Sequence, residues 1–347
     1  AMTMLEHALA KGPRWMPLVV LLCGLLSTLG AWYALSAIQE KAADREFQQL
    51  GNEVLEAIEK RMNNHRQILL GGAALFDASN DVSRDEWRRY VQRLDLESNY
   101  PGILGLGYSQ VVQPDQLQIF EESLRKQGFA EFAIKPAGKR DLYTSIIYLE
   151  PFTGRNLAAF GFDMFSEPTR RSAMSRAVET GLPQLSNNVT LVQENKGPAQ
   201  AGVLMYVPVY RPGAPLNSSA KRWEAIRGFV HSPYRVTDLM QAVLDGRDLQ
   251  IDFALYTGAI ASPEQKIFIS HPRLEQADKP SRTEQLELFG QPLTVNFYMQ
   301  PGYYGRFQQG QSLLLILGGV ISLLLFFLTK TLANGQQRSI GLANEMT

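Results

Sequence analysis

The sequence predicts an α+β protein held between two membrane helices: a long stalk helix followed by two antiparallel sheets with helices packed on one side. Three observations carry that expectation. Uncharged apolar runs stand near each end, at 16–38 and 307–329; a helical apolar stripe follows the first. The interval between them alternates strand patterns and helices through hairpin-like turns rather than βαβ crossovers.

Each apolar run approaches the roughly 20 residues that an α-helix needs to cross about 30 Å of hydrocarbon, and the second has a dense core from Leu313 to Leu328. A buried core helix would keep a different pattern, and neither run has a polar face. The first exceeds the apolar segment of a signal peptide, about 7 to 15 residues, and lacks a small-x-small exit, so a retained anchor is expected. Lys11 and Arg14 precede it, and Lys330 and Arg338 follow the second run. The positive-inside rule then expects both termini in the cytoplasm and 39–306 in the periplasm, in a two-pass protein of the inner (plasma) membrane. Trp15, Trp32, Tyr33, Tyr303 and Tyr304 stand where interfacial rings belong.

From Gln39 to about Asp77, Phe47, Leu50, Val54, Ile58, Met62, Ile68, Leu69 and Leu75 keep close to helical spacing. Such a stalk either lies on its own domain or forms a two-chain interface; the narrow stripe is read as a homodimer contact. Ser83-Arg84-Asp85-Glu86 is a capping-box pattern before a helix at 87–96, which leads to a turn at Asn99-Tyr100-Pro101-Gly102. Strands are then expected at 103–112, 129–135, 142–149, 157–162, 184–193, 202–210 and 226–231, with helices at 114–127 and 167–180 and a turn-rich loop at 212–219. A helix at 236–245 and strands at 251–256, 267–270, 285–289 and 293–299 read as a second, smaller α+β unit. The expected boundaries are a cytoplasmic N-terminus 1–15, a first span 16–38, a stalk 39–80, a membrane-distal subdomain 81–232, a membrane-proximal subdomain 233–306, a second span 307–329 and a cytoplasmic linker 330–347.

The 347 residues are 45% hydrophobic, and 34 basic side chains balance 34 acidic ones, interspersed throughout. A nucleic-acid partner is not expected, because counterion release needs a cationic face. The one cysteine, Cys23, lies in the first apolar run, which excludes disulfides and thiol chemistry from the middle of the chain. His7, His65, His231 and His271 are scattered without metal-ligand spacing. Gly102, Gly105 and Gly107 miss the G-x-G-x-x-G spacing, no Walker lysine follows, and no G-x-S-x-G is present. Neither catalytic residues nor a metal or cofactor is expected, and this chain reads as no enzyme.

Tyr148-Leu149-Glu150-Pro151, Phe162-Asp163-Met164-Phe165-Ser166, Arg170-Arg171, Ala177-Val178-Glu179-Thr180-Gly181, Leu185-Ser186 and Pro208-Val209-Tyr210 resemble the CHASE family of extracellular sensor domains. Trp87 and Tyr100-Pro101-Gly102 look like its amino-terminal part, so the resemblance covers about 82–230. It implies a stalk helix carrying a membrane-distal and a membrane-proximal PAS-like sheet, usually as a dimer. It also implies a sensor feeding a membrane histidine kinase, diguanylate cyclase or adenylyl cyclase. In cytokinin receptors of this family an aspartate and a leucine main chain hold the adenine part of the ligand; here they fall on Asp163 and Leu185. The implied partner is a small molecule, purine-like by that resemblance.

A carboxylate beside Phe160, Phe162, Met164 and Phe165 is costly to bury unpaired, and a ligand N–H would offset that cost. The competing reading makes Asp163 a cap for the next helix, where Ser166 and Glu167 also favour an amino terminus. Tyr143, Tyr148, Phe160, Phe162, Met205, Tyr206 and Tyr210 are the candidate cavity lining, with ordinary sheet core as the alternative. Alternation along 204–210 sends half of its residues to the opposite face. Arg170 and Arg171 read either as an anion clamp or, more simply, as a solvated helix face. Leu342 to Thr347 resembles helical linkers that enter PAS or GGDEF modules, and Ala1 before Met2 reads as a cloning remnant, so a cytoplasmic effector is expected beyond Thr347. The other functions weighed are a two-PAS chemoreceptor-type sensor of organic or amino acids, a tethered hydrolase, and a ligand-free dimerisation module. The first lacks an Arg-x-Trp-Tyr pattern and the second lacks a nucleophile.

Overall fold

The computed structural model describes residues 15–79, 81–194, 200–244, 249–276, 279–308 and 310–345. Lys11, Arg14 and His7, the expected helix end at Asp245, and the last two linker residues fall outside them, as does the side chain of Arg338. The described residues form two compact units, one from 50 to 299 and one from the segments before 50 and after 299.

Helix α1 runs unbroken over Met16–Asp77, 62 residues, so the first apolar run and the stalk are one helix. In the second unit its apolar stripe is spent inside the chain. Val54, Ile58, Met62, Leu69 and Phe76 are buried, whereas Glu56, Glu59, Lys60, Asn63, Asn64 and Gln67 are exposed. The homodimer reading of these buried stripe residues is therefore corrected: they cover this chain's own sheet, and what lies outward is mostly polar, Leu70 being the exposed exception among large apolar residues.

Ser83 starts α2 (Arg84–Leu94) through both bonds of the capping box, its hydroxyl accepting from the Glu86 N–H and Glu86 accepting from the Ser83 N–H. A single turn, α3 (Leu96–Asn99), and helix α4 (Leu117–Lys126) flank β1 (Leu106–Val112). After β2 (Tyr143–Glu150) comes α5 (Pro168–Thr180), capped by the Glu167 carboxylate on the N–H groups of Thr169 and Arg170. Gly181, at φ +74°, ends α5, and Arg222 donates to the terminal carbonyls of Val178 and Glu179. Strands β3 (Gln184–Leu185), β4 (Val189–Thr190), β5 (Ala201–Tyr210) and β6 (Ile226–Arg235) complete a six-stranded sheet in the order β2-β1-β6-β5-β3, with β4 also on β5. Helix α6 (Ser219–Ala225) precedes β6, and α7 (Val236–Leu244) leads to β7 (Ile251–Thr257), β8 (Lys266–Ile269), β9 (Arg282–Leu288) and β10 (Gln291–Met299). Those four form a second antiparallel sheet in the order β8-β7-β10-β9. The α+β class with a long first helix and two antiparallel sheets is thus present.

Two expected strands are absent. Residues 129–135 make only an isolated bridge, Lys135 with Phe162, and 157–162 is replaced by a 3-10 turn over Gly154–Ala159. Both segments are aromatic because their rings pack on one another, Phe129 and Phe132 lying 4.7 and 5.1 Å from Phe160, and not because they join a ladder. The turn-rich stretch after Tyr210 ends in α6, which Ser218 caps through Lys221 N–H.

In the other unit, α8 (Tyr303–Phe307) precedes α9 (Gln311–Glu345). Two helices, α1 and α9, contain stretches long and apolar enough to cross a membrane by length and composition. The second begins at Gln311 rather than at Phe307. Gly24 lies against Ser322 and Gly318 against Thr28, with a groove of about 620 Å³ beside them. Above that seam Gln311 donates to Gln39, Tyr303 to the Ala43 carbonyl and Tyr304 to Asp44.

Candidate functional site

A β-bulge decides which candidate residues meet. In the β1–β2 ladder Tyr108 pairs with Tyr148 but Ser109 pairs with Ile146, so Ile147 is the extra residue. Residues 144 and 146 therefore face α5, and Tyr148 is turned to the α1 side. There it packs on Trp87 and Tyr108, and its hydroxyl donates to the Val82 carbonyl. Phe160 joins Tyr148, Phe129 and Phe152 around the Arg84 guanidinium, at 5.2, 5.2, 4.5 and 5.3 Å respectively. Arg84 also donates to the Ile147 carbonyl.

The α5 face collects the rest. Asp163 is fully buried, at 0% exposure, at the end of a short bridge to Ser145. Its Oδ1 accepts from the Thr144 N–H at 2.8 Å, the Thr144 hydroxyl at 3.3 Å and the Phe165 N–H at 3.1 Å. That set makes it the cap of the 3-10 turn Met164–Ser166, while Glu167 caps α5 itself. Its Oδ2 receives no hydrogen bond and faces the Arg140 guanidinium at 3.4 Å. Burial pushes the carboxyl upward, against the pull of those N–H donors and of Arg140.

Tyr206, at 0% exposure, and Phe162 belong to the core on this face with Ile146, Met164, Phe165, Met174 and Phe229. The Tyr206 hydroxyl meets the Met164 sulfur at 3.3 Å. Along β5 the expected alternation holds: Leu204 and Tyr206 are in this core, and Met205, paired with Ser232, is on the other face. His231, opposite Tyr206 and against Gly107, is buried, and desolvation pulls its imidazole down to about 3. Tyr210 and Trp223 close the margin.

Arg170 corrects the solvated-face reading. Only 3% exposed, it donates through Nη2 to the Thr190 carbonyl at 2.9 Å and stacks over the Phe162 ring at 5.0 Å. Its Nε has no hydrogen-bond partner and lies 3.8 Å from Glu167. The helical spacing of Arg170 with Ala173, Met174 and Ala177 was the available signal, since all four share one α5 face. Leu185, on the edge strand, is buried with its main chain engaged on both sides: its N–H donates to the Phe289 carbonyl at 2.9 Å, and its own carbonyl accepts from Arg176 at 2.9 Å.

Among the described residues no three His, Cys, Asp or Glu side chains converge as metal ligands. The site is thus a buried face that carries one carboxylate oxygen and one guanidinium N–H without hydrogen bonds, each beside an opposite charge, between flat and sulfur-bearing side chains.

The family model for the CHASE domain matches residues 80–268, more than half of the sequence. The chain belongs to the CHASE family. The match covers the whole six-stranded sheet and reaches β8, so this CHASE protein is a sensor-domain protein by family. The two apolar helices on either side of the match fit a membrane receptor. Among solved structures, the chain is similar to an extracellular ligand binding receptor from Desulfohalobium retbaense DSM5692, at 10% identity and a TM-score of 0.44, over 73% of this chain. It spans 40% of that receptor's length. No curated protein matches the sequence significantly.

Proposed function

We propose that this CHASE protein is the periplasmic ligand-sensing region of a two-pass bacterial receptor, with both termini cytoplasmic and its output in a diguanylate cyclase or histidine kinase. The two sheets serve as its PAS-like pair. The ligand is a small molecule seated on the α5 face of the six-stranded sheet, where Asp163, Phe162 and Tyr206 meet it. Tyr148 and Phe160, on the far side of the Ile147 bulge, act on it only through the sheet.

One observation carries this reading: Asp163 Oδ2, buried and without a hydrogen-bond donor, is the atom that a ligand N–H would satisfy. A purine-like edge or an amine offers such a donor. Coupling to the membrane needs only a few kcal/mol of differential affinity between two conformations. With the α1 stripe spent internally, a homodimer would use other surfaces.

The test is thermal melting of the whole chain in detergent against a panel of purines, amines and organic acids. A true ligand raises Tm, and Asp163→Asn, which keeps the shape and the Oδ1 acceptor, diminishes that rise. The reading fails if no compound raises Tm. External thiol labelling of Trp223→Cys in intact cells tests the orientation, which is wrong if that position stays protected while Thr347→Cys reacts. The main chain of Leu185, already bonded on both sides, favours a second reading, a ligand-free module, and an unresponsive melting panel would support it.

A further inference from the structure

Residues Phe289 and Gly290 form the two-residue turn between β9 and β10, with φ of +49° and +70°. Such a primed turn is ordinary for Asn-Gly, but a phenylalanine in the left-handed region is an outlier. The hairpin, closed by the pair Leu288 and Gln291, imposes it, and the surroundings pin the turn in place. The Phe289 carbonyl accepts the Leu185 N–H at 2.9 Å, and the Phe289 ring lies 5.6 Å from the Arg66 guanidinium of α1. Gly290 is confined twice over, by its φ and by the Gln184 side chain, whose Oε1 occupies the space a Cβ would need.

The other side of the contact leads back to the candidate site. Arg176 of α5 donates to the Leu185 carbonyl and, at 3.4 Å, to the Gln184 Oε1. Helix α5 starts directly after the 3-10 turn that Asp163 caps. A contiguous path thus runs from Asp163 through α5 and Arg176 to Leu185, then through Phe289 into β10. In the sequence, β10 is the last strand before the second apolar helix.

We propose that the Phe289–Gly290 turn is a spring-loaded latch between the two sheets. Closed, as in this structure, the hairpin imposes the unfavourable conformation and the Leu185 N–H holds the turn against the first sheet through the Phe289 carbonyl. When α5 shifts and Leu185 turns away, the strained turn is released from that sheet and β10 is freed to move. Strain of this kind persists only where neighbours enforce it, which suits a two-state element rather than a passive joint. The proposal rests on the ligand reading above for what moves α5, but the latch itself is testable without any ligand.

The experiment is amide hydrogen exchange on the whole chain in detergent, read at Leu185, with Phe229 and Phe253 as core controls. Gly290→Val should open the latch and speed Leu185 exchange at least tenfold with the controls unchanged. Phe289→Asn should do the opposite, slowing Leu185, because asparagine tolerates the left-handed region. Arg176→Ala should speed Leu185 exchange, and the double variant with Gly290→Val should speed it no further. Unchanged Leu185 exchange in Gly290→Val, or additive effects in the double variant, overturns the latch. If Gly290→Val speeds all amides alike, Phe289→Asn decides, and a Leu185 amide that it fails to slow also overturns the proposal. A melting panel without hits leaves these results untouched, so the two failures are distinguishable.

Discussion

The two faces of the six-stranded sheet are built differently. The α1 face is aromatic: Phe76 stacks on Tyr108 at 4.0 Å, Trp87 packs against Phe76, Tyr90 and Tyr148, and His65 lies flat on Tyr234 at 5.3 Å. Trp87 Nε1 donates to the Leu106 carbonyl and Tyr90 to the Ile68 carbonyl, whereas His65, Arg84 and Tyr234 each keep a buried polar atom without a hydrogen bond. The α5 face instead buries Asp163, Arg170 and His231 within the apolar core. There, a fully buried carboxylate is costly to hold even beside Arg140, and the ligand reading rests on that cost.

The broadest way to break the contrast is acid, because each face holds one buried neutral histidine. Burial pulls His65 and His231 from the ordinary 6.5 to about 3. A base whose folded pKa is depressed contributes stability that is complete above the unfolded value and lost as pH falls below it. Taking the whole chain from neutral pH to about 4.5 should therefore cost roughly 5 kcal/mol, split evenly between the faces. Asp163, pushed upward by burial, has the opposite sign and offsets part of that loss as it takes up a proton. Denaturant titrations across that range check it: His65→Phe and His231→Phe should each remove about half of the slope, and a slope that neither variant changes would refute the assignment.

Trp87→Ala should cost about 4 kcal/mol, since it removes a fully buried ring from the aromatic face. The melting shift given by any ligand of the α5 face should survive it. Thr144→Val is the finest test, removing a hydroxyl that donates to Asp163 and accepts from the Phe165 N–H. It should lower stability by about 1 kcal/mol yet reduce the ligand-induced Tm shift more than Trp87→Ala does. The reverse order would erase the functional distinction between the faces.

Local signals in the sequence were legible and nonlocal ones were not. The capping box at Ser83, the cap residue Glu167 and the alternation along β5 depend on neighbours a few residues away, and all three form as read. The stripe on the stalk was legible as a stripe, but nothing local says whether its cover is a second chain or the same one. Phe129 to Lys135 has strand composition and no ladder to join. At the site, Asp163 and Tyr206 come to the α5 face as the spacing allowed, whereas Tyr148 does not, because one inserted residue in β2 is invisible to a period-two pattern, and Phe160 instead packs on Phe129, Phe132 and Phe152. The burial of Arg170 and the bond from Leu185 to Phe289 depend on segments 20 and about 100 positions away. No window along the chain contains them.

The inserted residue at Ile147 has a further bearing on how this sheet tolerates change. A strand without it would keep positions 144, 146 and 148 on a single face. With it, the strand shifts phase halfway: positions 144 and 146 lie on the face near Asp163, and position 148 packs on Trp87 and Tyr108 and reaches the Val82 carbonyl. One strand thus reads out two environments at once, and deleting that single residue would merge them.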